Sequence, residues 1–215
     1  MTTARKAIYQ TSDRLVDQEA GYEFTTWTEL QLLDAFNFAL GVVASRRPSA
    51  YASWVDMDLR EGSGQEVGPG CEQVLSLGAL KGSNGEYLDE LTFTRPMNPL
   101  VKRLALCGPS SPCDDASLDG DGEYRPVTIE QVGDRGFRVW PPVPAGKDYS
   151  MEVLCFKSPS AEHLDSDVHL PNSLRPALLE IMMYYAHMYD IEAVPSRDRA
   201  AKHWEAAMTL LGATQ

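Results

Sequence analysis

The chain has 215 residues, enough for one domain with a sizeable core, and its 43% hydrophobic and 23% charged residues exclude both a disordered tail and a membrane protein. A formal charge of -12, from 31 acidic against 19 basic residues, argues against a nucleic-acid grip, because such binding rests on neutralised phosphates. No window approaches the roughly 20 apolar residues that span a bilayer, since the most apolar one, 178–189, is interrupted by Glu180 and His187; no membrane partner is expected.

Residues 4–17 space Ile8, Ser12, Leu15 and Val16 at helical intervals and predict a short amphipathic helix. The same segment carries Arg5, Lys6, Asp13, Arg14 and Asp17 and no apolar core of signal-peptide length, so the protein is expected to fold where it is made. Thr26-Trp27-Thr28-Glu29 reads as a capping box that starts a second helix at Trp27. Along it Leu30, Leu33, Asn37, Leu40 and Ala44 share a face, with Phe36 and Val43 beside them. Asn37 reads as a helix–helix hydrogen bonder or an edge residue. Arg46-Arg47-Pro48 closes the helix with positive charge at its C-terminal dipole.

Between residues 51 and 126 the glycines at 62 and 64, 68 and 70, 82 and 85, and 120 and 122 mark turns. Strands are predicted at 53–59, 73–80, 90–94 and 102–106. Alternation in Val127-Thr128-Ile129-Glu130-Gln131-Val132, a Gly133-Asp134-Arg135 turn and Gly136-Phe137-Arg138-Val139-Trp140 predict a hairpin. Pro141 and Pro142 should stop its second strand, and 149–156 should add a third to complete an antiparallel meander.

After a polar loop, residues 173–193 predict the most apolar helix, with Leu174, Leu178, Ile181, Met182, Tyr185 and Met188 as its buried stripe and Pro176 in its first turn. Pro195 and Ser196 open a last helix in which Ala200, His203, Trp204, Ala207 and Leu211 share a face, and Gly212 closes it.

Cys71, Cys107, Cys113 and Cys155 form no CxxC pair and lack histidines at zinc spacing, so thiols are expected in a cytosol. A Gly-Pro-Ser-Ser-Pro turn can nevertheless bring Cys107 and Cys113 together as a bridge or an unusual metal site. Neither a phosphate-cradling glycine loop, a G-x-S-x-G elbow nor H-E-x-x-H is present, and His163 and His169 lie too far apart for a helical zinc pair. Aligning Asp115, Ser117, Asp119 and Gly120 with an EF-hand loop puts Pro126 where the bidentate glutamate belongs, so the motif fails; an exposed acidic turn is the preferred reading and a looser calcium loop the alternative. His187 and His203 read as packed, neutral histidines. Trp140-Pro141-Pro142 reads as a strand end and not as a recognition element. No catalytic, cofactor-binding or metal residue is therefore assigned, and no cofactor is expected.

The capped helix from Thr26 to Asn37, its Ser45-Arg46-Arg47-Pro48 end and the Phe137-Arg138-Val139-Trp140-Pro141-Pro142 strand end together resemble head-to-tail adaptor proteins of tailed phages, including the tail tubular A type. So do His169-Leu170-Pro171, Arg175-Pro176-Ala177-Leu178-Leu179, Tyr184-Tyr185-Ala186 and residues 200–212. The resemblance covers about half of the chain and rests on the order of the motifs; residues 61–125 depart from it.

The resemblance implies a virion structural protein, not an enzyme: one copy in a ring, usually of twelve, under the portal protein ring and above a tail, nozzle or tail-tube protein, assembled in the host bacterial cytoplasm. Twelve acidic subunits around a channel would repel double-stranded DNA and let it pass without being held. The first helix and residues 61–125 are the expected ring contacts. The expected fold is α+β and one domain over 1–215: a four-helix-type bundle from 1–50 and 170–213, with an antiparallel β meander and long loops inserted at 51–160. Two other classes stay open: a monomeric ligand- or protein-binding module using the glycine-rich loops, and a hydrolase built on Asp119, Asp121, Glu123 and a histidine.

Overall fold

The described residues form two apolar cores, each from its own stretches of sequence. The computed structural model describes residues 2–15, 18–19, 22–23, 26–82, 85–93, 124, 126, 128–189 and 194–212. Residues 1–51 and 158–215 make one compact unit, and residues 52–157 make another.

The first unit is built on four α-helices among the described residues: α1 (Ala4–Leu15), α2 (Glu29–Arg46), α3 (Arg175–Tyr189) and α4 (Val194–Leu210). Small residues set the packing of α1, whose buried side is Ala4, Ala7, Ile8, Thr11 and Ser12. Thr11 Oγ1 satisfies itself on the Ala7 carbonyl at 3.0 Å. Ile8, Phe36, Leu40, Leu178, Ile181 and Met182 fill the centre, each buried side chain contributing roughly 1.5–3 kcal/mol. The two-residue strands β1 (Thr2–Thr3) and β11 (Asp167–Val168) pair beside α1, and β2 (Gln18–Glu19) pairs β3 (Tyr22–Glu23).

α2 starts at Glu29, two residues later than the first capping box implies. Thr28 Oγ1 accepts from the Gln31 amide at 3.2 Å and Gln31 Oε1 accepts from the Thr28 amide at 2.9 Å. Thr26-x-x-Glu29 and Thr28-x-x-Gln31 overlap; the later box puts Trp27 just outside the cap, in the same apolar cluster as Leu32, as a hydrophobic staple requires. Along the helix Leu32, Ala35, Phe36 and Ala39 are buried, whereas Leu30, expected on the buried face, is 73% exposed.

The second unit overturns the expected architecture, a four-helix-type bundle carrying one inserted meander. Its described residues form two antiparallel sheets: β4 (Ala52–Asp58), β10 (Ser150–Phe156), β6 (Gln73–Lys81) and β7 (Tyr87–Glu90) in that order, and β5 (Gly62–Glu66), β9 (Gly136–Val143) and β8 (Thr128–Val132) in the other. Their inward residues share one core, with Val74, Leu77, Leu80, Met151 and Val153 from the first sheet and Ile129, Phe137, Val139 and Val143 from the second. The β8–β9 hairpin turns at Gly133, whose φ of 72° needs a residue without a Cβ.

β10 does not continue the hairpin into a meander. The far edge of β9 is already taken by β5, and Pro141 and Pro142 remove the amides a third strand would need. β10 instead lies between β4 and β6, where Met151, Val153 and Cys155 alternate inward. The prolines do not stop β9 either. It runs on to Val143, because pairing with β8 ends at Trp140 and pairing with β5 shifts register between Gly62 and Gly64. The missing amides fall in that interruption. The expected strand at 102–106 lies outside the described residues.

Candidate functional site

Asn37 sits on α2 with its amide turned to the loop before α3 instead of to another helix. Nδ2 donates to the Ala161 carbonyl at 3.0 Å while Oδ1 accepts from the Ala161 amide at 2.8 Å, the pairing a β-strand neighbour would supply. Arg5 fixes the same loop further on, through Asp165 at 2.8 and 3.0 Å. The guanidinium hydrogen bond and charge hold the Asp165 carboxyl below its ordinary range.

His187 and His203 stack with ring centres 5.5 Å apart, and His203 Nδ1 lies 2.6 Å from Glu180 Oε2. Glu180 also takes a hydrogen bond from Arg14 Nη1 at 2.9 Å, so the cluster joins α1, α3 and α4. Its hydrogen bonds fasten the three helices to one another. His163 and His169 are exposed on the loop. Asp114 to Glu123, Cys107 and Cys113 lie outside the described residues.

Arg47 serves a different helix from the one expected. Its Nη2 donates to the Leu211 carbonyl at 2.6 Å, capping the end of α4, where Gly212 adopts a φ of 67°. In the sequence that charge reads as closing α2 alone.

An aromatic strip runs over α2, α3 and α4: Trp27–Tyr189, Tyr189–Tyr185, Tyr185–Phe38, Phe38–Tyr184 and Tyr184–Trp204, with ring centres 4.9 to 6.4 Å apart. The hydrogen bond to Tyr189, and burial after it, push the Tyr185 phenol up to about 12. Tyr185 and Met188, expected in the buried stripe, lie at its margin, with Met188 exposed. The second apolar spacing on α2, Leu30 and Phe38 two turns apart, could have revealed this outer face.

On the β unit a groove of about 630 Å³ is lined by Arg60, Arg135 and Arg138 and by Glu66, Glu72 and Asp134. Arg135 Nη2 bonds Glu66 Oε1 at 2.6 Å, and the balanced charges select no anion. Gln65, buried beneath, holds Arg60 by two backbone bonds of 2.8 and 2.7 Å; nothing in the sequence had singled it out. Across the other sheet Trp54 lies over Gly78, where a Cβ would stand 2.9 Å from Cζ3. Cys71 and Cys155 form a disulfide with their Cα atoms 5.3 Å apart, which replaces the thiols expected for these two.

No helix among the described residues is long and apolar enough to cross a membrane, and no His, Cys, Asp and Glu group among them could hold a metal ion. What these residues do present is a partly exposed aromatic strip, a polar groove and a strand with an exposed tryptophan. The chain belongs to the SU10 adaptor protein family, whose pattern matches residues 2–215. No curated protein matches the sequence. Membership makes the chain a phage structural adaptor, a virion component that meets other head or tail proteins.

Proposed function

We propose that this adaptor acts as one subunit of a ring, of about twelve copies as the resemblance implies, that docks under the portal, joins it to a tail or nozzle protein and lines the DNA exit. Family membership over nearly the whole chain carries the reading. The charge of -12 supports it: repeated around a channel, that charge repels phosphate and gives DNA no grip. α1 and the segment 61–125 are the surfaces assigned to neighbouring subunits, in head-to-tail contacts that close a ring. Adaptors of the type it resembles can remain monomeric until the portal is present, so the mass of the isolated chain is no test. Mixing the purified chain with portal rings of the same phage is: negative-stain images should show a second tier on the portal, and bare portals at micromolar chain would sink the proposal.

A further inference from the structure

Among the described residues four strand edges border the two sheets, and three of them are short. β7 has four residues and a register shift against β6, β5 has five, is glycine-rich and is shifted against β9, and β8 has five. β4 is different. It pairs with β10 over seven consecutive residues without a bulge, contains no proline, and among the described residues no other strand lies on its outer side. Among the described residues, the alternate backbone N–H and C=O groups that point outward along it therefore meet no strand partner, the template for an added strand.

The side chains say that something is missing on both faces. Val55 points to the core opposite Val153, which is fully buried, yet Val55 is 37% exposed; its neighbour Trp54 on the opposite face is 53% exposed. One added strand beside β4 would cover both, which a partner seated on one face alone would not.

The chemistry of that strand follows from the register. Trp54, Asp56 and Asp58 share the outer face. Lys81 Nζ is 2.8 Å from Asp56 and 2.8 Å from Glu152, so two carboxylates share one ammonium, and Asp58 beside them is exposed. A facing strand meets net negative charge and an open indole there, and meets Ser53, Val55 and Met57 on the core side. Lysine or arginine suits the first face, by ion pairing and by stacking on Trp54, and valine-like residues suit the second.

We propose that the β4 edge takes an extended segment of alternating basic and apolar residues from a neighbouring virion protein, added antiparallel as an extra strand of the sheet. This rests on the adaptor reading for the identity of the partner, and on the strand alone for its chemistry.

The test uses the full chain and a capped ten-residue peptide of alternating Val and Lys, with a Val and Glu peptide as control. Hydrogen exchange should slow at least tenfold at amides within 52–58, the Trp54 emission should shift to the blue, and the Glu peptide should bind at least tenfold more weakly. Val55→Lys should abolish binding with the circular dichroism unchanged. Asp56→Lys, at an exposed position, should instead favour the Glu peptide, and it keeps the test open if Val55→Lys fails to fold. Protection outside 52–58, equal binding of both peptides, or self-association of the chain through β4 would overturn the proposal. Because no virion protein enters these arms, their failure leaves the portal experiment untouched, and failure on the portal leaves them standing.

Discussion

Asn37→Ala should cost the helical unit far more than its half-buried position implies. The side chain closes two bonds to one residue, at 2.8 and 3.0 Å, and Ala161 itself is 4% exposed, so water cannot replace the lost partner freely. Two such bonds are worth about 1–3 kcal/mol together, and stranding the Ala161 amide and carbonyl raises the loss to about 2–4 kcal/mol. Asn37→Asp separates donor from acceptor. A carboxylate at 37 still accepts from the Ala161 amide but faces the Ala161 carbonyl without a proton, so the fold favours the protonated form and its pKa rises above the unfolded value of about 4. Stability of this variant is then full below the unfolded pKa and is lost as pH rises through the folded one. Urea unfolding followed at 222 nm between pH 3.5 and 7, relative to wild type, reads both effects. A midpoint for Asn37→Ala within about 0.5 kcal/mol of wild type, or a flat pH profile for Asn37→Asp, would refute the amide bridge.

Reducing the Cys71–Cys155 bridge, which closes a span of 84 residues, should destabilise the β unit by up to about 4.5 kcal/mol in the chain-entropy account, and an unfolding midpoint insensitive to reductant would show that the bridge does not form. Gly212→Ala places a Cβ 2.8 Å from Arg47 Nη2 at a φ of 67°, so it should lower the melting temperature by more than Arg47→Ala does, because it disturbs both the turn and the cap. Burial pushes the Tyr51 phenol up to about 12, and its hydroxyl has no hydrogen-bond partner among the described residues. The unfolded chain ionises first, near pH ~10, so stability falls as pH rises from there towards 12. Tyr51→Phe should remove that alkaline loss at no cost near neutrality; a melting temperature several degrees lower at pH 7 would contradict it.

The helices were legible because period and caps are local. The choice between Thr26 and Thr28 as cap was not, since both boxes satisfy the pattern and burial of Leu32 and Phe36 decides between them. Strand positions near 52–58, 73–81 and 150–156 could be read from alternation, but their partners could not: β10 reaches back to β4 across nearly a hundred residues of intervening chain, and nothing in either strand names the other. The same distance hid the Cys71–Cys155 bridge, while the closer pair Cys107 and Cys113 drew attention by spacing alone. The aromatic strip was half visible. Tyr185 and Trp204 stand out as periodic residues, yet periodicity does not separate the centre of an apolar stripe from its margin, and three helices must come together before the rings form a line.

Where the chain sits in the virion tests the account most directly. A reconstruction of the neck of the purified phage at side-chain resolution should place copies of this chain as a ring between portal and tail, with acidic side chains on the channel wall. Finding it elsewhere in the particle, or finding a strongly basic wall around the DNA, would contradict the connector reading.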